Sequence, residues 1–220
     1  MNTIRKLLLT ALATASLAVS SNAGTLYLWD GLGNNVTVND NGTGDSAAGL
    51  GVINWGGTMG TWTVYISSTG TTTGSLSNPT IDLNVVATGN GFLGAYYGDI
   101  GFGPSNGSVK ATIGGTLVAN ATVDNNTYLY QGNNVTPPGY YSYQLTGATY
   151  TGNPFSGTEY SSINEAGPYA LYEAIYLTHR GFGTSSFDAN LSVPDSASTA
   201  MMIGLGLLGL GFAARRNKVA

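Results

Sequence analysis

The run Gly103-Pro104-Ser105-Asn106-Gly107 fits the pattern G-x-S-x-G, and Asp124 and His179 follow it in the chain order serine, acid, histidine. In that pattern a sharp turn from strand into helix presents a serine nucleophile to its base. Here residues 108–113 alternate as a strand and Pro104 constrains the turn, so the motif reads as a hairpin loop. Gly89-Asn90-Gly91-Phe92-Leu93-Gly94 fits G-x-G-x-x-G, but neither a helix N-terminus to hold pyrophosphate nor a suitably placed acid follows it. Glycoside hydrolysis needs two carboxylates facing across a bond. Asp82, Asp99, Glu159, Glu165 and Glu173 are available, yet spacing alone brings no two of them together. His179 is the single histidine, which excludes a polyhistidine metal centre. A non-enzymatic protein is expected.

Asp40, Asn41 and Asp45 lie on a glycine-bent loop and offer the hard oxygen ligands that suit Ca2+, without EF-hand spacing or its terminal glutamate. They equally suit a solvated turn held by side-chain hydrogen bonds to the backbone. No other cofactor is expected. Fourteen tyrosines are the larger resource, with clusters at Tyr96-Tyr97, Tyr128/Tyr130 and Tyr140-Tyr141-Tyr143. A tyrosine joins an apolar ring to a hydroxyl that stays wet, which suits contact with sugars or proteins. Strand neighbours point to opposite faces, so about half of each cluster should pack inward.

The elements that position these residues follow from composition. The chain has 220 residues, 8% of them charged, 33 glycines and no cysteine. Its hydrophobic fraction of 42% is enough to bury a core, and the scarcity of charge excludes a polyelectrolyte type of disorder. Without cysteine there is neither a disulfide framework nor a thiolate site. A net charge of −4 offers no basic surface to a phosphate backbone, which excludes nucleic acid as a partner.

Both ends carry addresses. Arg5 and Lys6 precede a short apolar run and then Ser21-Asn22-Ala23, the pattern of a signal peptide (residues 1–23) cut between Ala23 and Gly24. At the other end, residues 193–220 hold Val193-Pro194-Asp195-Ser196, an apolar stretch at 200–214 read as a short hydrophobic helix, and then Arg215, Arg216 and Lys218. Fifteen helical residues rise only ~22 Å, a marginal span of a ~30 Å hydrocarbon core. Between the addresses, residues 24–192 form one domain of ordinary size, whose two bases, Lys110 and Arg180, face ten acids for a net charge of −8.

Periodicity in this domain is that of strands. In Thr61-Trp62-Thr63-Val64-Tyr65-Ile66-Ser67 the apolar residues fall on one face with period two. Similar runs occupy 26–29, 36–38, 51–55, 81–86, 109–113, 117–123, 127–130, 140–145 and 187–193, punctuated by Gly, Asn, Asp and Pro. The segment 169–177 satisfies both helical and strand patterns, and its surroundings favour a strand. The expected fold is all-β, an antiparallel β-sandwich of jelly-roll or Ig-like type.

The tail resembles the PEP-CTERM sorting signal of exported bacterial proteins, with Val-Pro-Asp-Ser where Val-Pro-Glu-Pro is commonest. Leu28 to Asp30, Val36-Thr37-Val38, the Asp40 to Asp45 loop, Gly60-Thr61-Trp62-Thr63-Val64, Ile81-Asp82-Leu83 and Ser186-Phe187-Asp188-Ala189-Asn190-Leu191 are similar to those of a group of small PEP-CTERM ectodomains. The resemblance implies recognition of Val193, Pro194, Asp195 and Ser196 by an exosortase-type processing enzyme and passage through the inner membrane. It also implies a destination at the cell surface or in an exopolysaccharide matrix. The expected role is structural, or alternatively that of a carbohydrate-binding or adhesive module with polysaccharide as the partner, and after that a surface hydrolase.

Overall fold

A computed structural model of the chain describes residues 24–70, 79–132 and 143–193. The signal peptide, the residues Pro194, Asp195 and Ser196, the terminal helix and Tyr140-Tyr141 lie outside these residues. Ten strands run through them: β1 (Thr25–Trp29), β2 (Asn35–Asn39), β3 (Val52–Met59), β4 (Trp62–Gly70), β5 (Thr80–Phe102), β6 (Ser105–Thr116), β7 (Thr122–Tyr130), β8 (Tyr143–Thr151), β9 (Phe155–Glu165) and β10 (Tyr169–Ser192). All pairings are antiparallel, and there is no helix among the described residues.

Two strands of unusual length organise the sandwich. β5 and β10, of 23 and 24 residues, pair along nearly their whole lengths, from Tyr169↔Phe102 to Ser192↔Thr80. The C-terminal half of β5 and the N-terminal half of β10 lie in a first layer, ordered β2-β1-β5-β10-β7-β8. Their other halves lie in a second layer, ordered β3-β4-β5-β10-β6-β9. The inner faces of both layers meet in one core that includes Leu26, Leu28, Trp62, Leu83, Leu93 and Leu177. Strands that pass from one packed sheet into another do so at bulges or bends.

The bend has a defined construction. The β5/β10 register shifts between His179 and Gly183, opposite the stretch 89–91. Gly91 has φ +92°, a conformation that costs glycine nothing. At Gly89 a Cβ would sit 2.7 Å from both the Thr61 carbonyl oxygen and the Trp62 ring, so β4 and β5 approach closely at the bend through a missing side chain. His179 pins the same point. Its Nδ1 lies 3.0 Å from the Gly89 oxygen and its Nε2 2.7 Å from Ser185 Oγ, which also accepts the Val118 amide at 3.1 Å. Nδ1–H therefore donates to Gly89, and the Ser185 hydroxyl donates to Nε2. The ring packs 4.8 Å from that of Trp62.

The alternation at 61–67 is reproduced on β4, with Trp62, Val64 and Ile66 buried and Thr63, Tyr65 and Ser67 exposed. The ambiguous segment 169–177 is strand. The run 117–123 is not one strand, because Ala121 N–H bonds Val118 O and Asn120 takes φ +61°, making a turn before β7. β9 is an element that periodicity passes over: only Phe155 and Ile163 along it are buried.

Candidate functional site

The first layer turns an aromatic surface away from the core. Alternation puts Leu26, Leu28, Leu93, Ala95, Leu171 and Ile175 inward, and so sends Tyr27, Trp29, Phe92, Tyr96, Tyr172 and Tyr176 to the opposite face. Tyr128 and Tyr130 join them from β7, where Tyr172 pairs with Tyr128 and Ala170 with Tyr130. Between the large rings stand small residues. Trp29 is in register with Gly94, which is followed across the sheet by Tyr176 and Asp124; Tyr27 is followed by Tyr96, Ala174 and Asn126.

This alternation of large and small lets rings lie over backbone. A Cβ on Gly94 would overlap the Trp29 indole. Trp29 stands 5.4 Å from Tyr27, 6.1 Å from Phe92 and 5.8 Å from Tyr176, and Phe92 stacks on Tyr176 at 6.3 Å. Tyr96 and Tyr172 stack at 5.0 Å and are buried, whereas Tyr27, Trp29, Phe92, Tyr130 and Tyr176 are half-buried. Such pairs add to area burial and hold one another in orientation. Burial raises the Tyr96 hydroxyl far above its ordinary value, so it stays protonated.

The rim of the surface is polar. Asn35 and Thr37 of β2 pair with Trp29 and Tyr27, while Asp124 and Asn126 of β7 follow Tyr176 and Ala174. Gln144 of β8 donates to Asn126 Oδ1 at 2.9 Å. Beyond Phe92 the row continues through Thr178 and Thr122 to Thr151. There it reaches a shallow groove of about 680 Å³ whose lining includes Val118, Thr122, Thr151, Asn153 and Arg180. Rings that present an apolar surface beside amide, carboxylate and hydroxyl groups have the chemistry to hold a pyranose, whose C–H face stacks while its hydroxyls hydrogen-bond.

Residues singled out by motif are placed elsewhere. Ser105 begins β6 and its Oγ accepts the Tyr169 hydroxyl at 2.7 Å, whereas His179 is bound to Gly89 and Ser185; Asp124 is on the aromatic rim. Gly89, Gly91 and Gly94 lie within β5, with no helix after them. Among the carboxylates, Asp82 lies on β5 across from Asn190, with Asp188 close enough to help raise its pKa after the larger effect of burial. Glu165 accepts Gln131 Nε2 on exposed β9. Asp99 and Glu173 are fully buried. Neither oxygen of Glu173 has a hydrogen-bond partner. Burial pushes its carboxyl well above the usual range, and nearby Asn125 works against this without reaching hydrogen-bond geometry.

The loop proposed for Ca2+ is stapled by its own carboxylates. Asp45 Oδ1 accepts the amides of Ala47 at 2.8 Å and Asn54 at 3.0 Å, and Oδ2 accepts that of Asn41 at 2.9 Å. Asp40 Oδ2 accepts the Gly51 amide at 2.8 Å and Oδ1 the Asn41 side chain at 2.9 Å. Burial works to raise the Asp45 carboxyl, but the three amides prevail and hold it below its usual range. Among the described residues, no group of three or more histidine, aspartate or glutamate side chains is placed to hold a metal ion.

Of the tyrosine clusters, Tyr96 faces the aromatic surface and Tyr97 the core, while Tyr128 and Tyr130 share the surface. Trp29, Phe92, Tyr172 and Tyr176 escape a reading by sequence clusters because they come from β1, β5 and β10. Their signal is the pairing of rings on one strand with Gly94, Gly98 and Ala174 on the next.

No protein-family model and no curated protein matches the chain. Among solved structures it is similar to the K1 cleaved adhesin domain of Lys-gingipain from Porphyromonas gingivalis W83, at 9% identity and a TM-score of 0.38. That match covers 63% of this chain and all of the adhesin domain. It is also similar to TmCBM27, a carbohydrate-binding module studied for specific mannan recognition, at 14% identity and a TM-score of 0.31, over 53% of this chain and 75% of that one. Neither likeness bears on the residues of the aromatic surface.

Proposed function

We propose that this protein is an exported, non-enzymatic component of the bacterial cell surface or exopolysaccharide matrix, and that it holds polysaccharide on the aromatic face of its first layer. The observation that carries the reading is the half-exposed group Tyr27, Trp29, Phe92 and Tyr176, held ring against ring and bordered by Asp124 and Asn126. Export rests on the residues around the Ala23/Gly24 junction and on the Val193-Pro194-Asp195-Ser196 tail, which an exosortase-type enzyme would process after transient residence in the inner membrane. The net charge of −8 on residues 24–192 favours neutral or basic polymers over strongly acidic ones, except where Arg180 faces the groove.

Affinity electrophoresis through gels containing single polysaccharides tests this reading. Retardation by one polymer in wild type, and its loss in a Trp29→Ala variant that stays folded at the temperature of the gel, is the expected result. Equal mobility of both proteins in every gel would leave the structural role without a sugar ligand.

A further inference from the structure

One carboxylate between the layers has no partner to match its burial. Asp99 of β5 is 0% exposed; its Oδ1 accepts the Ile100 amide at 2.8 Å, but its Oδ2 accepts nothing. The hydroxyl of Tyr97, also 0% exposed, makes no hydrogen bond. Both atoms border one space. A Cβ on Gly70 would overlap Asp99 Oδ2 and lie 2.9 Å from the Tyr97 hydroxyl, and a Cβ on Gly24 would overlap that same hydroxyl. A buried carboxylate with one free oxygen is costly unless a donor or a cation meets it.

Gly24 stands where such a group is needed. Thr25 pairs with Asn39 on one side and Gly98 on the other, so the residue before it falls in register between Asp40 and Asp99. Its carbonyl accepts the Asp40 amide at 2.9 Å, and it is buried. Alternation puts it on the inward side with Leu26. It is also the residue that follows the signal-peptide junction. Hydrolysis of the Ala23–Gly24 bond by a signal peptidase adds water across it, leaving a carboxylate on Ala23 and, on Gly24, an amine that takes up a proton near neutral pH.

We propose that signal-peptide removal creates the missing partner, the α-ammonium of Gly24, which docks between Asp99, Asp40 and the Tyr97 hydroxyl and pairs with the Asp99 carboxylate. Among the described residues, no other cation reaches this space. Residues 71–78, which follow Gly70, hold no ionisable side chain. Lys110 is on β6, in register with Ser192 and Tyr160, and Arg180 is exposed at the β10 bend. The groups that face the ammonium are Asp40 and Asp45 from the loop between β2 and β3, and Tyr97 and Asp99 from β5. Gly51 and Gly70 meet them from the second layer, with Gly51 N–H on Asp40 and Gly70 N–H on the Gly51 carbonyl. Glycine suits position 24, because a Cβ there would overlap the Tyr97 hydroxyl unless that ring moved. Before cleavage, burial and the charge of Asp40 hold the Asp99 carboxyl up at about 6; the ammonium would draw it back down. The mature fold thus completes itself only when cut at this bond.

The proposal shares with the reading above only the expectation of export, and sugar binding plays no part in its test. The full chain is expressed for export, the N-terminus of the processed protein is sequenced, and the α-amine, labelled by 13C reductive methylation, is titrated by NMR. The expected result is a chain that begins at Gly24 with an α-amine titrating about one pH unit or more above the ordinary ~7.7–8.0. In Asp99→Asn it should fall back by a comparable amount. A different N-terminus, or a wild-type amine at its ordinary value, overturns the proposal even where Asp99→Asn fails to accumulate. So does an amine at its ordinary value together with stabilisation by Ca2+ that requires Asp99.

Discussion

The Trp29 indole occupies the space above Gly94 that any side chain there would need. The ring is therefore held in place by an absence on β5 as much as by contacts with Tyr27, Phe92 and Tyr176. A platform fixed before the ligand arrives loses less side-chain entropy on binding. Gly94→Val should displace the indole and, if the proposed polysaccharide site is right, weaken binding about tenfold, equivalent to ~1.4 kcal/mol, in the same direction as Trp29→Ala. The valine should also cost on the order of 1–3 kcal/mol of stability through overpacking. Affinity electrophoresis and thermal denaturation of both variants give the two numbers.

Asp45 accepts two backbone amides of its loop, those of Asn41 and Ala47, and one of β3, that of Asn54. Asp45→Ala should lower stability by roughly 1–2 kcal/mol, because the half-buried amides of Ala47 and Asn54 lose their charged acceptor. If stapling is the role of this carboxylate, the loss measured by urea denaturation is the same in excess Ca2+ and in EDTA. A loss seen only in Ca2+ would assign the loop to the ion instead.

His179 makes the fold sensitive to acid. Burial lowers its pKa, against the smaller opposing effect of the Gly89 carbonyl, so the unfolded chain binds the proton more tightly than the folded one. Stability is then fully present above the unfolded pKa of ~6.5 and falls as pH drops below it. His179→Gln should flatten this limb of the stability curve between about pH 6.5 and 5, at a cost of about 1–3 kcal/mol at neutral pH for the lost Ser185 and Gly89 contacts. Denaturant midpoints across that range are the measurement.

Glu173 acts in the opposite direction. Its raised pKa means that the folded chain holds a proton the unfolded chain releases above ~4.3, so stability declines as pH rises through this window toward the folded value. Glu173→Gln keeps the shape without the ionisable oxygen. It should stabilise the protein at pH 7 by on the order of 1–3 kcal/mol, and have much less effect at pH 4. A variant less stable than wild type at pH 7 would contradict this account.

The strands that alternate cleanly were legible before any coordinates. Trp62, Val64 and Ile66 face inward as their spacing requires, and Tyr96 and Tyr97 divide between the two faces. The continuity of β5 and β10 was not legible, since glycines at 89, 91, 181 and 183 look like turn residues. Here they serve a bend inside a strand. β9 was missed because an outer-edge strand with only Phe155 and Ile163 buried carries little periodic signal. The aromatic surface was half visible: the tyrosine pairs were local, but Trp29, Phe92 and Tyr176 meet only through register between strands distant in sequence. The unpaired oxygen of Asp99 has no sequence signature, because burial is a property of the packed layers.

β10 carries Tyr172 and Tyr176 of the aromatic surface near its start and ends at Ser192, one residue before the run Val193-Pro194-Asp195-Ser196 opens. A polymer held there and an envelope attachment beyond Val193 would load β1, β5 and β10 together at one end and β10 at the other. That strand is hydrogen-bonded to β5 along most of its length and flanked by β7 and then β6. Tension directed along it loads many hydrogen bonds at once in shear, where a hairpin peeled from its end would break them one after another.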